Sequence, residues 1–358
     1  MRSRSRQRPA ALPTPRAIYE HLDRYVIGQE RAKRAVAIAA HGHLQRCRAR
    51  GEGKTLQRKS NILMIGPTGC GKTHLARTLA GFLEVPFSVV DATEYTEAGY
   101  YGKDVEVMIG ELLFAANQSI QETERGIVFV DEVDKIARRS HGARTGAGSR
   151  DIGGEGVQQA LLKLLEGREV FVPLNITQHW NKHDFVQVDT QDILFICAGT
   201  FSDLDMYASS AASIGFGRGA EGQCEPRRRV TTKDLLDYGM IAELLGRLPV
   251  TVVLEELRRE ELLQILTVPP DSLAREYKER LAADEVELHV TQGALELIVD
   301  YSVARRAGAR GLRAIMEEVC EEVLFEAPER SGERVVLDAD AVKRKLGALD
   351  TPIVDGRP

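Results

Sequence analysis

The sequence predicts an α/β protein in which a parallel sheet is covered by helices, followed by a smaller, mostly helical α+β domain. Two observations lead to this fold class. Short, wholly apolar runs alternate with helical patterns, as in β-α units whose strands are buried on both faces. Beyond Pro249 the pattern changes to helices, with short strands only at residues 287–290 and 334–337. The length of 358 residues also favours two domains.

Each predicted strand is a short apolar run, and each predicted helix repeats apolar residues every three or four positions. In the larger domain, strands are expected at residues 62–65, 86–91, 127–130 and 192–198. Helices are expected there from Ala17, at residues 32–47, after the first strand, and at 104–117 and 157–165. The smaller domain is expected to contain helices at residues 255–266, 270–281, 291–302 and 309–325. In such a sheet the ligand binds at the carboxyl ends of the strands.

Composition excludes several classes of protein. The net charge is −5, so the overall charge does not favour nucleic acid as the main partner. No apolar run approaches the roughly 20 residues of a membrane-spanning helix. The five cysteines are scattered and never form a C-x-x-C pair, so we expect neither a disulfide framework nor a zinc site. This cysteine usage fits a reducing compartment, and we expect a cytoplasmic protein without a membrane partner.

The chain divides into four predicted segments. Residues 1–15 are rich in arginine and proline, and we expect a disordered basic tail there. The start of an organelle-targeting peptide has a similar composition, and that alternative stays open. Residues 16–254 are predicted to form the large domain, residues 255–345 the small domain, and residues 346–358 a flexible tail. Within the large domain, residues 138–154 and 202–229 are predicted to be irregular loops.

A glycine-rich turn follows the first predicted strand and precedes a helical pattern. Its G-x-x-x-x-G-K-[ST] spacing is that of a P-loop, in which backbone N–H groups surround the phosphates of a nucleotide. Lys72 is expected beside the β- and γ-phosphates, and the Thr73 hydroxyl is expected to bind Mg²⁺. The turn therefore predicts ATP and Mg²⁺ as cofactors, bound by Gly66, Pro67, Thr68, Gly69, Cys70, Gly71, Lys72 and Thr73.

Polar residues also follow two later strands. Asp131 and Glu132 end the apolar run 127–130, and this pattern is typical of a second nucleotide-binding motif. Asp131 is expected near the Mg²⁺, and Glu132 is expected to orient the attacking water. Thr200 follows the strand at residues 192–198, where its side chain is expected to meet the nucleotide.

Several segments together resemble the ClpX family of AAA+ ATPases, which unfold proteins and feed them to the ClpP peptidase. The resemblance runs from about residue 16 to residue 326, so it implies the AAA+ fold with a large and a small domain. It also implies an ATP-dependent unfoldase that acts as a homohexamer with ClpP and protein substrates as partners. The matching segments are the P-loop, DRYVIGQE (23–30), YTEAGYYGKD (95–104), VFVDEVDK (128–135), GGEGVQQALLKLLE (153–166), IGFG (214–217), ELLGRLPV (243–250) and AGARGLR (307–313).

The resemblance assigns further roles to nucleotide-binding residues. The family's adenine pocket corresponds to Val26 and Ile27. Its arginine finger, which reaches the nucleotide of a neighbouring subunit, corresponds to Arg247, and its sensor-2 arginine corresponds to Arg310. A guanidinium at either position would stabilise the charge on the phosphate oxygens in the transition state.

The resemblance also assigns segments that contact proteins. The substrate-gripping pore loop corresponds to Tyr100 and Tyr101, which stand between two glycines, and the second pore loop lies around Arg150. The loop that docks on ClpP corresponds to Ile214, Gly215 and Phe216. Two large apolar side chains in a run of serine, alanine, glycine and arginine have no local partners, which favours burial against another protein.

Three features depart from the family pattern. The family's four-cysteine zinc domain has no counterpart in this sequence, so we expect neither zinc nor delivery of substrates by adaptors that bind such a domain. The Arg-Lys-His loop of the family aligns with residues 178–180, which read Gln-His-Trp, or after a shift with residues 181–183. Cys70 stands where the family commonly has serine, and oxidation sensitivity is one expected consequence.

Three other functions remain as alternatives. A P-loop ATPase acting on nucleic acid is disfavoured by the net charge and by the predicted tyrosine pore loop. An HslU-type unfoldase is disfavoured by the triplet 214–216 and by the missing insertion after the second nucleotide motif. A chaperone that remodels complexes without a peptidase is the alternative that the sequence excludes least.

Overall fold

The computed structural model describes residues 12–54, 59–96, 103–138, 154–173, 185–202, 204 and 230–347. By its internal contacts the chain forms two compact units. The first contains residues 1–21, 31–65 and 79–253, and the second contains residues 22–30, 66–78 and 254–358, each over its described part. The chain therefore enters the second unit twice before residue 254.

The elements up to residue 253 are, in chain order, α1 (Pro15–Tyr25), α2 (Glu30–Gly51), β1 (Ile62–Ile65), α3 (Lys72–Leu83), β2 (Phe87–Asp91), β3 (Tyr95–Thr96), β4 (Lys103–Asp104), α4 (Val107–Ala115), α5 (Ile120–Thr123), β5 (Ile127–Asp131), α6 (Gly154–Glu166), β6 (Glu169–Pro173), β7 (Phe185–Asp189), β8 (Leu194–Gly199), α7 (Thr232–Tyr238), α8 (Ala242–Gly246) and β9 (Val250–Val253).

The elements after residue 253 are α9 (Arg259–Thr267), α10 (Leu273–Ala282), β10 (Glu287–Val290), α11 (Gln292–Ala304), α12 (Gly308–Glu326), β11 (Arg334–Leu337) and α13 (Ala339–Leu346).

The first unit is built on a five-stranded parallel sheet with the order β2-β5-β8-β1-β9. Strands β1 and β8 are buried at every position, as expected for central strands covered on both faces. Alternate residues of the central strands, among them Leu63, Val128 and Phe195, share one core with Met108, Leu161 and Leu244. The predicted α/β fold class, with a parallel sheet and a smaller helical domain, is confirmed.

The register of this sheet places the ends of several strands along one edge. Ile65, at the end of β1, pairs with Gly199 at the end of β8. Asp131, at the end of β5, pairs with Asp91 of β2. Because the strands are parallel, the residues that follow β5 and β8 leave the sheet at its carboxyl edge. Asp131 and Thr200 therefore belong to the same edge of the first unit.

Two parts of the first unit differ from the sequence-based prediction. The sequence predicts no strand between Pro249 and the helix expected from residue 255, but Val250–Val253 forms strand β9 beside β1. Thr251 interrupts its apolar residues, and three of its four side chains are not buried, so β9 lacks the continuous apolar run that marks β1. Strands β6 and β7 form an antiparallel hairpin that was also not predicted, although Val170, Val172 and Val188 alternate with exposed residues as in a half-buried ribbon.

The second unit contains the short strand pair β10 and β11, which pair in parallel. Both strands have the predicted bounds. Helices α9 to α13 pack around a core of their own, which includes Tyr277, Ile298 and Met316. Side chains also define where helices begin, since Asp338 accepts a hydrogen bond from the Ala341 amide at the start of α13. Gly308, the first residue of α12, has a φ angle of +56°.

Candidate functional site

The P-loop connects β1 to α3, as the sequence predicts. Gly69 and Gly71 have φ angles of +79° and +98°, a conformation that favours glycine. Lys72 is buried, and its Nζ donates to the carbonyl oxygens of Gly66 at 2.6 Å and Pro67 at 3.0 Å. The ammonium group is therefore held inside the loop by neutral oxygens, which phosphate oxygens of a nucleotide are able to replace.

The P-loop lines a pocket of about 860 Å³ in the second unit. Three separate parts of the sequence contribute to its wall, namely residues 25–27, residues 69–74 and residues between 257 and 317. Gly66, Pro67 and Thr68 of the predicted site are not among the lining residues. The predicted residues that line it are Val26, Ile27, Gly69, Cys70, Gly71, Lys72, Thr73 and Arg310.

The P-loop and the start of α12 fit closely together. The Ala309 amide donates to the Gly69 carbonyl oxygen at 3.2 Å. A Cβ atom on Gly69 would lie 2.7 Å from the carbonyl oxygen of Ala307, so a side chain there would force the two segments apart. This contact places Arg310, in the first turn of α12, at the wall of the pocket. The structure thus brings Arg310 and Lys72 into one pocket, and their roles in catalysis stay predictions.

Cys70 is buried at the pocket wall with a free thiol. Burial raises the pKa of the thiol, and the positive charge of Lys72 opposes this shift only in part. The reactive form of a cysteine is the thiolate. A raised pKa therefore disfavours the oxidation sensitivity expected from the sequence.

Other pocket residues were not predicted from the sequence. Apolar side chains come from Leu257, Ile265 and Leu273, and polar ones include Asp271 and Ser272. They lie in and around α9 and α10, more than 180 residues from the P-loop, and no sequence motif marks them. The wall therefore combines cations and P-loop amides with apolar side chains, which suits a ligand with an anionic part and a flat apolar part.

Asp131 and Glu132 lie in the first unit and are not among the residues that line the pocket. Asp131 is the last residue of β5, and its Oδ1 accepts a hydrogen bond from the Glu132 amide at 2.9 Å. Glu132 is exposed and has φ of +55°, in the left-handed region. Their expected roles, at the metal and at the attacking water, stay predictions.

Thr200 donates its hydroxyl to Oδ2 of Asp134 at 2.9 Å. The same carboxylate oxygen accepts the Phe201 amide at 3.3 Å. Asp134 is buried, and within the described residues its Oδ1 has no hydrogen-bond partner. Thr200 is expected at the site from the sequence, whereas Asp134 is not, although Asp134 follows the acidic pair by only two residues. The predicted contact of Thr200 with nucleotide is not tested by this geometry.

Arg247 follows α8 in the first unit and forms an ion pair with Glu166 at 2.9 Å. Its side chain is 51% exposed. An exposed ion pair of this kind contributes little free energy, so Arg247 is free to exchange Glu166 for another anion. The arginine-finger role stays a prediction.

Several predicted residues lie outside the described part of the chain. They are the pore-loop residues Tyr100, Tyr101 and Arg150, and the docking residues Ile214, Gly215 and Phe216. Within the described residues, no cluster of three or more His, Cys, Asp or Glu side chains has the arrangement of a metal site. No helix in that part combines the length and the apolar composition needed to cross a bilayer.

Comparisons with known proteins match both units. The family model for the AAA domain (Cdc48 subfamily) matches residues 57–251. The model for the C-terminal, D2-small domain of ClpB protein matches residues 257–335. Together they account for most of the described chain.

Curated relatives match along nearly the whole chain. A Treponema denticola protein named "ATP-dependent Clp protease ATP-binding subunit ClpX" is 41% identical over 339 residues, which are 92% of this chain and 81% of that protein. A Wolinella succinogenes protein named "ATP-dependent Clp protease ATP-binding subunit ClpX 2" is 44% identical over 89% of this chain and 79% of its own length. A Porphyromonas gingivalis protein with the ClpX name is 41% identical over 95% of this chain and 84% of its own length.

Proposed function

The chain belongs to the ClpX family of ATP-dependent Clp protease ATP-binding subunits and is an ATPase, and we propose that it is a protein unfoldase that delivers its substrates to the ClpP peptidase. The observation that carries the proposal is the pocket in which the P-loop, Val26, Ile27 and Arg310 meet. The curated relatives support the partnership through their name, and the sequence segments that resemble the family's pore and docking loops agree with it.

The residues of the pocket fit ATP. Gly69 and Gly71 have the positive φ angles that let a P-loop turn its amides toward phosphates. Lys72 and Arg310 supply positive charge for the phosphate oxygens, and Val26 and Ile27 supply apolar surface for adenine. We assign Mg²⁺ to Thr73 and Asp131 from their motif positions. When bound, Mg²⁺ would neutralise charge that develops on the phosphates.

Two residues of the first unit, Glu132 and Arg247, would contribute to the hydrolysis of ATP. The Glu132 carboxylate would accept a hydrogen bond from the attacking water and orient it toward the terminal phosphate. Arg247 would leave its exposed ion pair with Glu166 and reach the nucleotide of a neighbouring subunit. A guanidinium supplied by the neighbour makes hydrolysis depend on assembly, which supports a homohexameric ring as the working form.

Protein substrates would pass through the centre of this ring. Tyr100 and Tyr101, which stand between glycines, would push on a polypeptide by steric contact, so the substrate needs no particular sequence. Arg150 would belong to the second pore loop. Ile214, Gly215 and Phe216 would dock on ClpP. We place the protein in the cytoplasm because its cysteine pattern suits a reducing compartment, and we expect no zinc and no nucleic-acid partner.

The proposal is tested with the purified chain, ATP, Mg²⁺ and a folded fluorescent protein that carries candidate degradation tags. With ClpP present, we expect fluorescence to be lost and the substrate to be cut into peptides. The Lys72→Ala variant should leave the substrate intact. Loss of fluorescence without any peptides would instead favour a chaperone that works without a peptidase. ATP hydrolysis that is stimulated by duplex DNA but not by protein substrates would contradict the proposal.

A further inference from the structure

Helix α8 is a short element that ends directly before Arg247. It has five residues, too few to be stable in isolation, so its position depends on the rest of the first unit. Leu244 and Leu245 bury one face of the helix in the core. Apolar burial has no direction, however, and by itself does not fix where the two ends of a helix lie. Two buried amide side chains add the directional bonds at these ends.

Gln158, on helix α6, holds the beginning of α8. Its side chain is completely buried, and its Oε1 accepts the amide of Ile241, the residue that precedes α8, at 2.9 Å. Its Nε2 donates to the carbonyl oxygens of Ile136 at 2.8 Å and Gly239 at 3.3 Å. Ile136 ends a short 3-10 turn (Val133–Ile136) that starts directly after Glu132. One side chain therefore joins α6, α8 and this turn.

Asn61, directly before strand β1, holds the other end of α8. Its side chain is also buried, and its Nδ2 donates to the Arg247 carbonyl oxygen at 3.0 Å and to the Leu165 carbonyl oxygen at 3.4 Å. Its Oδ1 accepts the Phe195 amide of β8 at 3.4 Å. The backbone of Arg247 is thus bound to the sheet and to α6, whereas its guanidinium lies at the surface in an exposed ion pair with Glu166.

A fixed backbone under an exposed side chain suits an arginine that acts on another subunit. A catalytic group that is misplaced by about 1 Å can lower the rate by roughly 100-fold, so the position of its Cα matters. Glu132 is followed by a turn with separate anchors, because the Asp134 carboxylate accepts the Thr200 hydroxyl and the Phe201 amide. Loss of the Gln158 amide should therefore displace α8 more than Glu132.

We propose that Gln158 and Asn61 are positioning residues for Arg247. They hold the two ends of α8, so that the guanidinium of one subunit reaches the phosphates of the neighbouring subunit's nucleotide in a fixed geometry. This inference rests on the proposed role of Arg247 and adds the buried residues on which that role depends.

A double-mutant cycle with Arg247→Ala tests the proposal. Methionine resembles glutamine in length but has no N–H donor and is a weak acceptor, so Gln158→Met removes the bonds to Ile136, Gly239 and Ile241. We expect this variant to hydrolyse ATP roughly 10- to 100-fold more slowly than the wild type. In the Arg247→Ala background the same substitution should change the rate by less than about 2-fold, since no guanidinium is left to position. Single-turnover assays with radiolabelled ATP and Mg²⁺ measure these slow rates.

Binding of fluorescent N-methylanthraniloyl-ADP should be the same in Gln158→Met and the wild type, because Gln158 does not line the nucleotide pocket. Gln159→Met is the matched control, since Gln159 is the next residue of α6 and is exposed, with its amide near Glu155. Its rates should match the parent in both backgrounds. Asn61→Leu alters the other end of α8 and should repeat the pattern of Gln158→Met, which keeps the proposal testable if one variant folds poorly. Thermal melting followed by circular dichroism gives the folded fraction, and rates are compared per folded molecule.

The outcomes separate this proposal from the role of Arg247 itself. If Arg247→Ala hydrolyses ATP as fast as the wild type, the trans-acting role is wrong. If Arg247→Ala is slow but Gln158→Met and Asn61→Leu behave like Gln159→Met, only the positioning role is wrong. If Gln158→Met slows the Arg247→Ala variant by the same factor as the wild type, Gln158 acts independently of Arg247 and the proposal is overturned.

Discussion

Glu132 shows how a single residue is held in a conformation that its own chemistry disfavours. Its φ and ψ of +55° and +30° lie in the left-handed region, which costs a residue with a Cβ on the order of 1 kcal/mol. Glycine would adopt this conformation without strain. A carboxylate kept there at the end of a central strand fits a residue retained for chemistry, since glutamate has no packing role on an exposed turn.

We predict that Glu132→Gln keeps ATP binding and lowers the rate of hydrolysis by roughly 100-fold or more, because an amide orients water poorly and accepts no proton. Phosphate release measures the rate, and displacement of a fluorescent nucleotide measures binding. Glu84→Gln is the matched control, since Glu84 is also exposed in the first unit and has φ of +52°. Equal rates in the two variants would remove Glu132 from the mechanism.

Helix α2 carries a buried imidazole whose protonation state follows from its neighbours. Nη2 of Arg46 lies 3.4 Å from Nδ1 of His43, and a guanidinium has only donors, so Nδ1 must accept and carries no proton. The other ring nitrogen then donates to Cys47 Sγ at 3.6 Å. Burial, followed by the charges of Arg46 and Lys59, lowers the pKa of His43 from 6.5 to about 3. The helix therefore packs with a neutral histidine.

This neutral histidine predicts a loss of stability in acid. Between about pH 6.5 and pH 3, His43 binds a proton in the unfolded chain but stays neutral in the folded chain. The free energy of unfolding should therefore fall with decreasing pH in that window, by up to about 1.4 kcal/mol per pH unit. Urea unfolding followed by circular dichroism, between about pH 7 and pH 5, measures this slope.

His43→Gln keeps one acceptor and one donor in the side chain but does not titrate, so its unfolding free energy should depend less on pH in the same window. His289→Gln serves as the control, because His289 is exposed on β10. Should His43→Gln and the wild type lose stability in parallel, the acid sensitivity belongs to other groups.

At the scale of the whole molecule, both walls of the nucleotide pocket belong to one compact unit although they come from distant parts of the sequence. Residues 22–30 and 66–78 join residues 254–358 in the second unit. A nucleotide in this pocket would therefore connect the P-loop to helices α9, α10 and α12. The acidic pair and Arg247 belong to the first unit, which is built on the parallel sheet.

The proposed assembly with ClpP predicts a variant that loses degradation by ClpP but keeps ATP hydrolysis and unfolding. Phe216→Ala should abolish ClpP-dependent degradation. Burying the phenylalanine side chain on ClpP would contribute roughly 1.5–3 kcal/mol to binding. A hexamer would present six copies of this side chain, so its removal weakens every contact at once. ATP hydrolysis and unfolding without ClpP should be unchanged. Ser213→Ala, three residues earlier, is the control. If Phe216→Ala degrades substrate as fast as this control, the docking role is wrong.

The sequence by itself determined the P-loop, the α/β fold class and the family. Phosphate binding by a P-loop depends on the backbone of eight consecutive residues, so the positive φ angles of Gly69 and Gly71 follow from local sequence. The fully apolar runs of β1 and β5 predict buried parallel strands for the same reason. The predicted bounds of β10 and β11 were also correct.

Only the tertiary structure decided which distant residues meet. The unpartnered hydroxyl of Ser272 and the buried carboxylate of Asp134 stand in segments whose sequence does not mark them as buried, and only packing removes them from water. The low pKa of His43 likewise arises from burial in the fold. Hydrogen bonding and desolvation depend on neighbours in space, whereas motifs and periodicity record only neighbours in sequence.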